Sequence, residues 1–299
     1  MQLKKSLALL TALTAGSAVA RLHGHERRHQ HQQRGVGSEV TAVIDGKVVS
    51  WINEYSGGAA TAAPEASAVS SVAAAVSSAT PTASVSSSSS GTSTGFGART
   101  SPHGSGINYV GNVGNPWGSN IIQISADEVK NYKYVIQFFS DKITEPWTVL
   151  FWNKIGPDGK LDGWYGNKAL EFQISPGETK YVAVDEDSQG AWGAAPGDSL
   201  PKDDFGGWAS TWGEFDFGSS VNGGWSGFDV SAIQAQAAGL AVQGMKICEA
   251  TTGSTCSAVA NELEQVINAY TQELANIGGI GGNIPPGPVT LNVHLNFTS

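Results

Sequence analysis

Three carboxylates in two short segments are the residues of this chain best suited to chemistry. Glu214 and Asp216 lie in Trp212-Gly213-Glu214-Phe215-Asp216-Phe217, and Asp229 lies in Gly224-Trp225-Ser226-Gly227-Phe228-Asp229-Val230. Aromatic and polar residues alternate in both. The period of two predicts half-buried strands, with Phe215 and Phe217 on one face and Trp212, Glu214 and Asp216 on the other. An indole beside two carboxylates is how a sugar-binding or acid/base cleft begins. A glycosidase needs two carboxyl groups roughly 5–5.5 Å or 6.5–9.5 Å apart, one of them kept protonated by apolar surroundings. Residues two apart on a strand can meet either spacing, but so does any antiparallel strand with one wet face. Carboxylates that are simply solvated or that hydrogen-bond sugar hydroxyls are therefore the preferred reading for Glu214, Asp216 and Asp229, with catalysis as the alternative.

The aromatic content points the same way. Nine tryptophans, eight of them within residues 106–299, are many for a chain of this size. Trp164, Trp192, Trp208 and Trp225 each have a glycine neighbour, which leaves a ring face accessible, and Trp212 shares the carboxylate face. Exposed indoles stack on the apolar faces of pyranose rings; the competing reading is that most of them are core. A second acidic cluster, Asp185-Glu186-Asp187 with Asp203-Asp204, lacks the spacing of a calcium loop and reads as solvated. Beyond residue 34 the only histidines are His103 and His294. No Ser/His/Asp constellation and no cofactor site follows from them.

The first residues address the compartment. Lys4 and Lys5 precede an apolar run from Leu7 to Ala20 that ends Ala18-Val19-Ala20, the pattern of a secretory signal peptide over 1–20. No other run is apolar for long enough to span a bilayer. A secreted, extracellular protein with two cysteines, Cys248 and Cys256, is expected to join them as one short-loop disulfide. Cleavage after Ala20 would leave Arg21-Leu22-His23 at the terminus, where the amine, two amides and the imidazole of His23 can form a square-planar Cu(II) or Ni(II) site. Residues 1–34 carry six lysines and arginines against one glutamate, so the formal net charge of −9 becomes −14 for the remainder. Such an acidic body disfavours nucleic acid and anionic lipid and is compatible with neutral polysaccharide.

Composition divides the rest into three segments. Residues 21–56 form a His/Arg-rich arm with a short hairpin, signalled by Asp45-Gly46 between apolar runs. Residues 57–105, dominated by Ser, Ala and Thr, read as a disordered, O-glycosylated linker. Residues 106–299 are long enough for one globular domain. Within it, Tyr134–Phe139, Trp147–Trp152, Leu170–Ile174 and Tyr181–Val184 read as strands separated by Gly156-Pro157-Asp158-Gly159 and Ser175-Pro176-Gly177-Glu178 turns. A mainly β, antiparallel sandwich is the expected architecture. One amphipathic helix is predicted near the C-terminus, capped by Ser257, with Val259, Leu263, Val266, Tyr270 and Leu274 at helical spacing and a stop at Gly278. Residues 231–243 fit helix or strand equally. A single N-glycosylation sequon starts at Asn296, in a terminal strand.

The layout of leader, Ser-rich linker, Asn108-Tyr109-Val110-Gly111-Asn112-Val113-Gly114-Asn115-Pro116-Trp117-Gly118-Ser119-Asn120 and Trp-Gly-Glu-Phe resembles the fungal secreted allergen family Asp f four. The resemblance implies an extracellular fungal protein recognised by IgE and brings no biochemical activity with it. More distantly, Trp212-Gly213-Glu214-Phe215 and Phe228-Asp229-Val230-Ser231 are similar to two motifs of the thaumatin-like sandwich, with Gln234 where that family has a further Asp. That resemblance implies an acidic cleft holding Glu214 and Asp229, associated with β-1,3-glucan binding and weak glucanase activity. The combined expectation is a cell-wall or extracellular polysaccharide-binding protein. The alternatives are a weak endo-β-glucanase using Glu214 with Asp216 or Asp229, and a structural surface protein.

Overall fold

A computed structural model describes residues 39–44, 47–52, 95–251 and 255–299. The expected signal peptide, His23 and residues 57–94 of the expected linker lie outside these. The first two strands, β1 (Glu39–Ile44) and β2 (Lys47–Ile52), pair antiparallel with Ile44 opposite Lys47.

The remaining strands, β3 (Ile121–Ile124), β4 (Tyr134–Phe139), β5 (Trp147–Asn153), β6 (Leu170–Ile174), β7 (Thr179–Val184), β8 (Ser188–Pro196), β9 (Trp212–Ser219), β10 (Trp225–Ser231), β11 (Met245–Glu249), β12 (Cys256–Val259), β13 (Val266–Ile267), β14 (Gly282–Ile284) and β15 (Val289–Leu295), make two sheets. One has the order β14-β10-β9-β8-β5-β6 and is antiparallel throughout. The other has the order β13-β12-β11-β15-β4-β7-β3, antiparallel except where β15 runs parallel to β4. The Ser175–Glu178 turn carries the chain from β6 in the first sheet to β7 in the second.

Alternation along each strand decides what lies between the sheets. Phe215 and Phe217 of β9, Phe228 and Val230 of β10, and Val149 and Phe151 of β5 meet Tyr134, Ile136 and Phe138 of β4 and Leu291 and Val293 of β15 in one core. The Tyr134 and Phe217 rings stack across it with centroids 5.2 Å apart. On the opposite face of the first sheet, Leu150, Trp152 and Trp212 pack with Trp164, Trp208 and Leu200 from the flanking loops into a second apolar layer. With both faces covered, every residue of β5 is buried, the pattern of a central strand.

Three buried asparagines tie the Asn108–Asn120 segment to this sheet. Asn120 and Asn153 exchange side-chain hydrogen bonds, and Asn120 Nδ2 also donates to the Asn112 carbonyl and to Ser188 Oγ. Residues 95–105, assigned by composition to the linker, belong to the domain: Ala98 pairs with Asn115, and the Arg99 guanidinium forms an ion pair with the buried Asp185.

The one α-helix among the described residues is α1 (Ile233–Ala237), so the 231–243 stretch is helical in part. The helix predicted to start at Ser257 is corrected. Cys256–Val259 is strand β12, paired with β11, and Ser257 Oγ accepts a hydrogen bond from the Val230 amide instead of capping a helix. Downstream, Glu262, Leu263 and Asn268 take positive φ of 51°, 64° and 45°, which no α-helix tolerates. Edge pairing and the Cys248–Cys256 disulfide, whose Cα atoms are register partners 4.1 Å apart, override the helical spacing.

Trp192 of β8 faces the core directly opposite Gly213 of β9. A Cβ on Gly213 would fall 2.2 Å from the Trp192 ring. Gly213→Ala should therefore cost about 1–3 kcal/mol by overpacking, measured by denaturant unfolding. Combining it with Trp192→Phe should cost less than the sum of the two single changes; strict additivity would contradict the contact.

Candidate active or binding groove

Glu214 and Asp229 are register partners on β9 and β10, and Asp216 pairs with Gly227 two positions along. Opposed residues on antiparallel strands share a face, with Cα atoms roughly 4.5–5.5 Å apart. The three carboxylates predicted from sequence are thus brought together on the outer face of the first sheet. They line a cleft with Tyr270, Ile280 and Asn283 that is open to solvent. One wall is the loop at Gly281, whose φ of 110° and near approach to the Phe228 carbonyl exclude a side chain.

Glu214 also borders a second, shallow hollow lined by Trp152, Lys154, Leu161, Trp164 and Trp212. Glu214 lines both, so the two hollows meet at its side chain and make a groove at β9, aromatic on the β8 side and acidic on the β10 side. Glu214 itself is buried.

The acidic end has unusual electrostatics. Burial pushes the Asp216 carboxyl up to about 7, opposed by the Lys154 charge and by a hydrogen bond from Gln189. Burial likewise lowers Lys154 to about 8, with Asp216 pulling the other way. A single amide links them: Lys154 Nζ donates to Gln189 Oε1 at 2.9 Å, and Gln189 Nε2 donates to Asp216 Oδ2 at 3.0 Å. The other oxygen, Oδ1, is enclosed without a hydrogen-bond partner among the described residues, so the carboxylate is poorly solvated and its neutral form is favoured. Sequence reasoning missed Lys154 and Gln189. The only signal was a lysine directly after the apolar run of β5, which does not reveal a partner on β8.

The tryptophans divide. Trp164 and Trp212 line the groove, yet they are only 7% and 1% exposed, too little to open a ring face to solvent. Trp208 lies beneath the surface, with its indole N–H donated to the Asn167 carbonyl and the Lys202 ammonium 4.4 Å above its ring. Trp192 is 0% exposed in the inter-sheet core, which corrects its expected place as a ligand platform. Trp225 is half-buried at the start of β10 and lines neither half of the groove.

Other expected site residues lie elsewhere. Asp185 is bound by Arg99 and Asn112, Glu186 by Lys133, and Asp187 accepts from the Tyr109 hydroxyl and the Ser220 amide. Asp203 instead caps its own loop. Among the described residues, no group of three or more His, Cys, Asp or Glu side chains is arranged to hold a metal ion. Asn296 follows β15 with φ 53°, and its Nδ2, the atom a glycan would occupy, donates to the Lys142 carbonyl at 2.7 Å.

The family model for the Allergen Asp f 4-like domain matches residues 119–295. The chain is 59% identical to Allergen Asp f 4 of Aspergillus fumigatus over 99% of both proteins. A stretch of 53 residues, 17% of this chain and 12% of the other, is 53% identical to a probable circularly permuted 1,3-beta-glucanase of Arthroderma benhamiae.

The raised Asp216 carboxyl makes a prediction about stability. The folded state holds this proton more tightly than the unfolded state, whose carboxyl titrates near 3.8. Its stabilising contribution is complete below that value and is lost as pH rises through about 7. Asp216→Asn should leave stability at low pH nearly unchanged. Its unfolding free energy should then gain on the parent protein progressively up to neutral pH and level off above it. A constant difference across that range would mean that Asp216 is not buried as described.

Proposed function

Given a chain that belongs to the Allergen Asp f 4-like family, we propose that it is an extracellular protein that binds a neutral polysaccharide, a β-glucan, in the groove at β9. The observation that carries this reading is Glu214, which joins an aromatic hollow to an acidic cleft. A pyranose chain has the matching chemistry, with an apolar C–H face for Leu161 and hydroxyls that donate to Glu214 and Asp229. The acidic body removes the common polyanionic ligands from contention. The local identity to a protein named as a 1,3-beta-glucanase supports β-1,3-glucan as the first ligand to test. Recognition by IgE is a property of the host, proposed here on the kinship with an allergen, and it needs no chemistry at the groove.

A second reading, weak endo-β-glucanase activity, is favoured by one observation. A carboxyl held up to about 7 at Asp216 lies on the same face as Glu214 and Asp229, and a protonated acid beside further carboxyl groups is the arrangement glycoside hydrolysis uses.

Incubating the protein with insoluble β-1,3-glucan, chitin and cellulose, and measuring retention and released reducing sugar in the same tubes, tests both readings. Binding predicts selective retention on β-1,3-glucan without sugar release. Glu214→Leu, which removes the acceptor, should weaken retention about tenfold or more, a loss of about 1.4 kcal/mol. Sugar release abolished by Glu214→Gln would replace binding with hydrolysis, and absence of both retention and release would end both readings.

A further inference from the structure

With every groove-lining tryptophan nearly buried, the polysaccharide reading lacks a ring face on which a sugar could stack. The β8–β9 connection supplies one. Phe205 is 74% exposed, the most exposed large apolar side chain among the described residues. Such exposure in a loosely held loop would carry little meaning, but this turn is tightly held. Asp203 Oδ1 accepts from the Phe205 amide at 2.9 Å and from the Gly207 amide at 2.8 Å. The Asp203 amide donates to the Gly207 carbonyl, and the Gly206 amide donates to the Asp203 carbonyl. Gly206 takes the left-handed φ of 86° that the reversal needs.

The turn is also anchored to the groove wall. The Trp208 amide donates to the Trp164 carbonyl, and Lys202 and Trp208 pair across the base of the turn. Gly207 packs so closely on the wall that a Cβ there would lie 3.3 Å from both the Trp164 and the Tyr165 rings. Trp164 lines the aromatic hollow. A hydrogen-bonded turn that packs on Trp164 therefore holds a phenyl ring in water. At the other end of β9, Val221, 57% exposed, sits on the turn whose Asn222 reaches Asp216.

We propose that Phe205 is a ligand-contacting residue of the groove, a stacking platform for a pyranose unit of a chain that extends past Trp164. Pre-organisation of the backbone by Asp203 means that little loop freedom is lost on binding. An accessible ring face fits the apolar C–H face of a sugar. The proposal deepens the polysaccharide reading and rests on it.

The test compares the parent protein with Phe205→Ala and Phe205→Trp on insoluble β-1,3-glucan. Because the side chain is mostly in water, Phe205→Ala should melt within about a degree or two of the parent, which removes misfolding as an explanation. Retention should weaken about three- to tenfold in Phe205→Ala and be kept or strengthened in Phe205→Trp. Equal retention of parent and Phe205→Ala would overturn the proposal while leaving the groove reading intact. No retention of the parent would overturn the groove reading itself. Binding of the parent to phosphatidylcholine vesicles that is lost in Phe205→Ala would assign the ring to a lipid surface and overturn the stacking role.

Discussion

The contact between the Trp192 indole and Gly213 fixes which face of β9 turns away from the inter-sheet core. Side chains alternate along a strand, so a slip of one residue between β8 and β9 would turn Phe215 and Phe217 outward and bury Glu214 and Asp216 between the sheets. The register in which Trp192 lies opposite Gly213 is the one in which the indole finds a position without a side chain. In that register Phe217 stacks on Tyr134 of the opposite sheet, and the carboxylates face out. The groove is a consequence of how the core packs.

The second apolar layer then gives the outer face its character. Trp152, Trp164, Trp208 and Trp212 cover one part of the first sheet and leave another to carboxylates. Glu214 stands at the boundary. Burial at this boundary drives Asp216 toward its neutral form and Lys154 toward its own, and Gln189 couples the two without direct contact. Buried ionisable groups of this kind cost stability unless they are paired, and such costs are typical of surfaces kept for binding or chemistry.

Local alternation makes much of this legible in the sequence. Phe215 against Glu214 and Asp216 is a property of one strand, and so are the strands at Tyr134, Trp147 and Leu170. Long-range partners are not legible. The spacing of Val259, Leu263, Val266 and Tyr270 satisfies a helix equally well, and pairing of Cys256–Val259 with Met245–Glu249 decides against it. Glycine beside tryptophan suggests exposed rings, yet at Gly213 the glycine exists because a ring from another strand fills its place. Phe205 has no periodic signal, since its meaning comes from an Asx-capped turn and the wall behind it. Composition also ends the linker too late, because Arg99 is held by Asp185, a partner 86 residues away.

The proposed seat of a glucan on the face of β9 bearing Glu214 is tested most directly by amide chemical-shift mapping of the protein during titration with a soluble β-1,3-gluco-oligosaccharide. Saturable shifts concentrated at 212–216, 227–229 and 203–208, with the seven-stranded sheet unaffected, are the expected result. Shifts confined to the seven-stranded sheet, or none at saturating oligosaccharide, would contradict it.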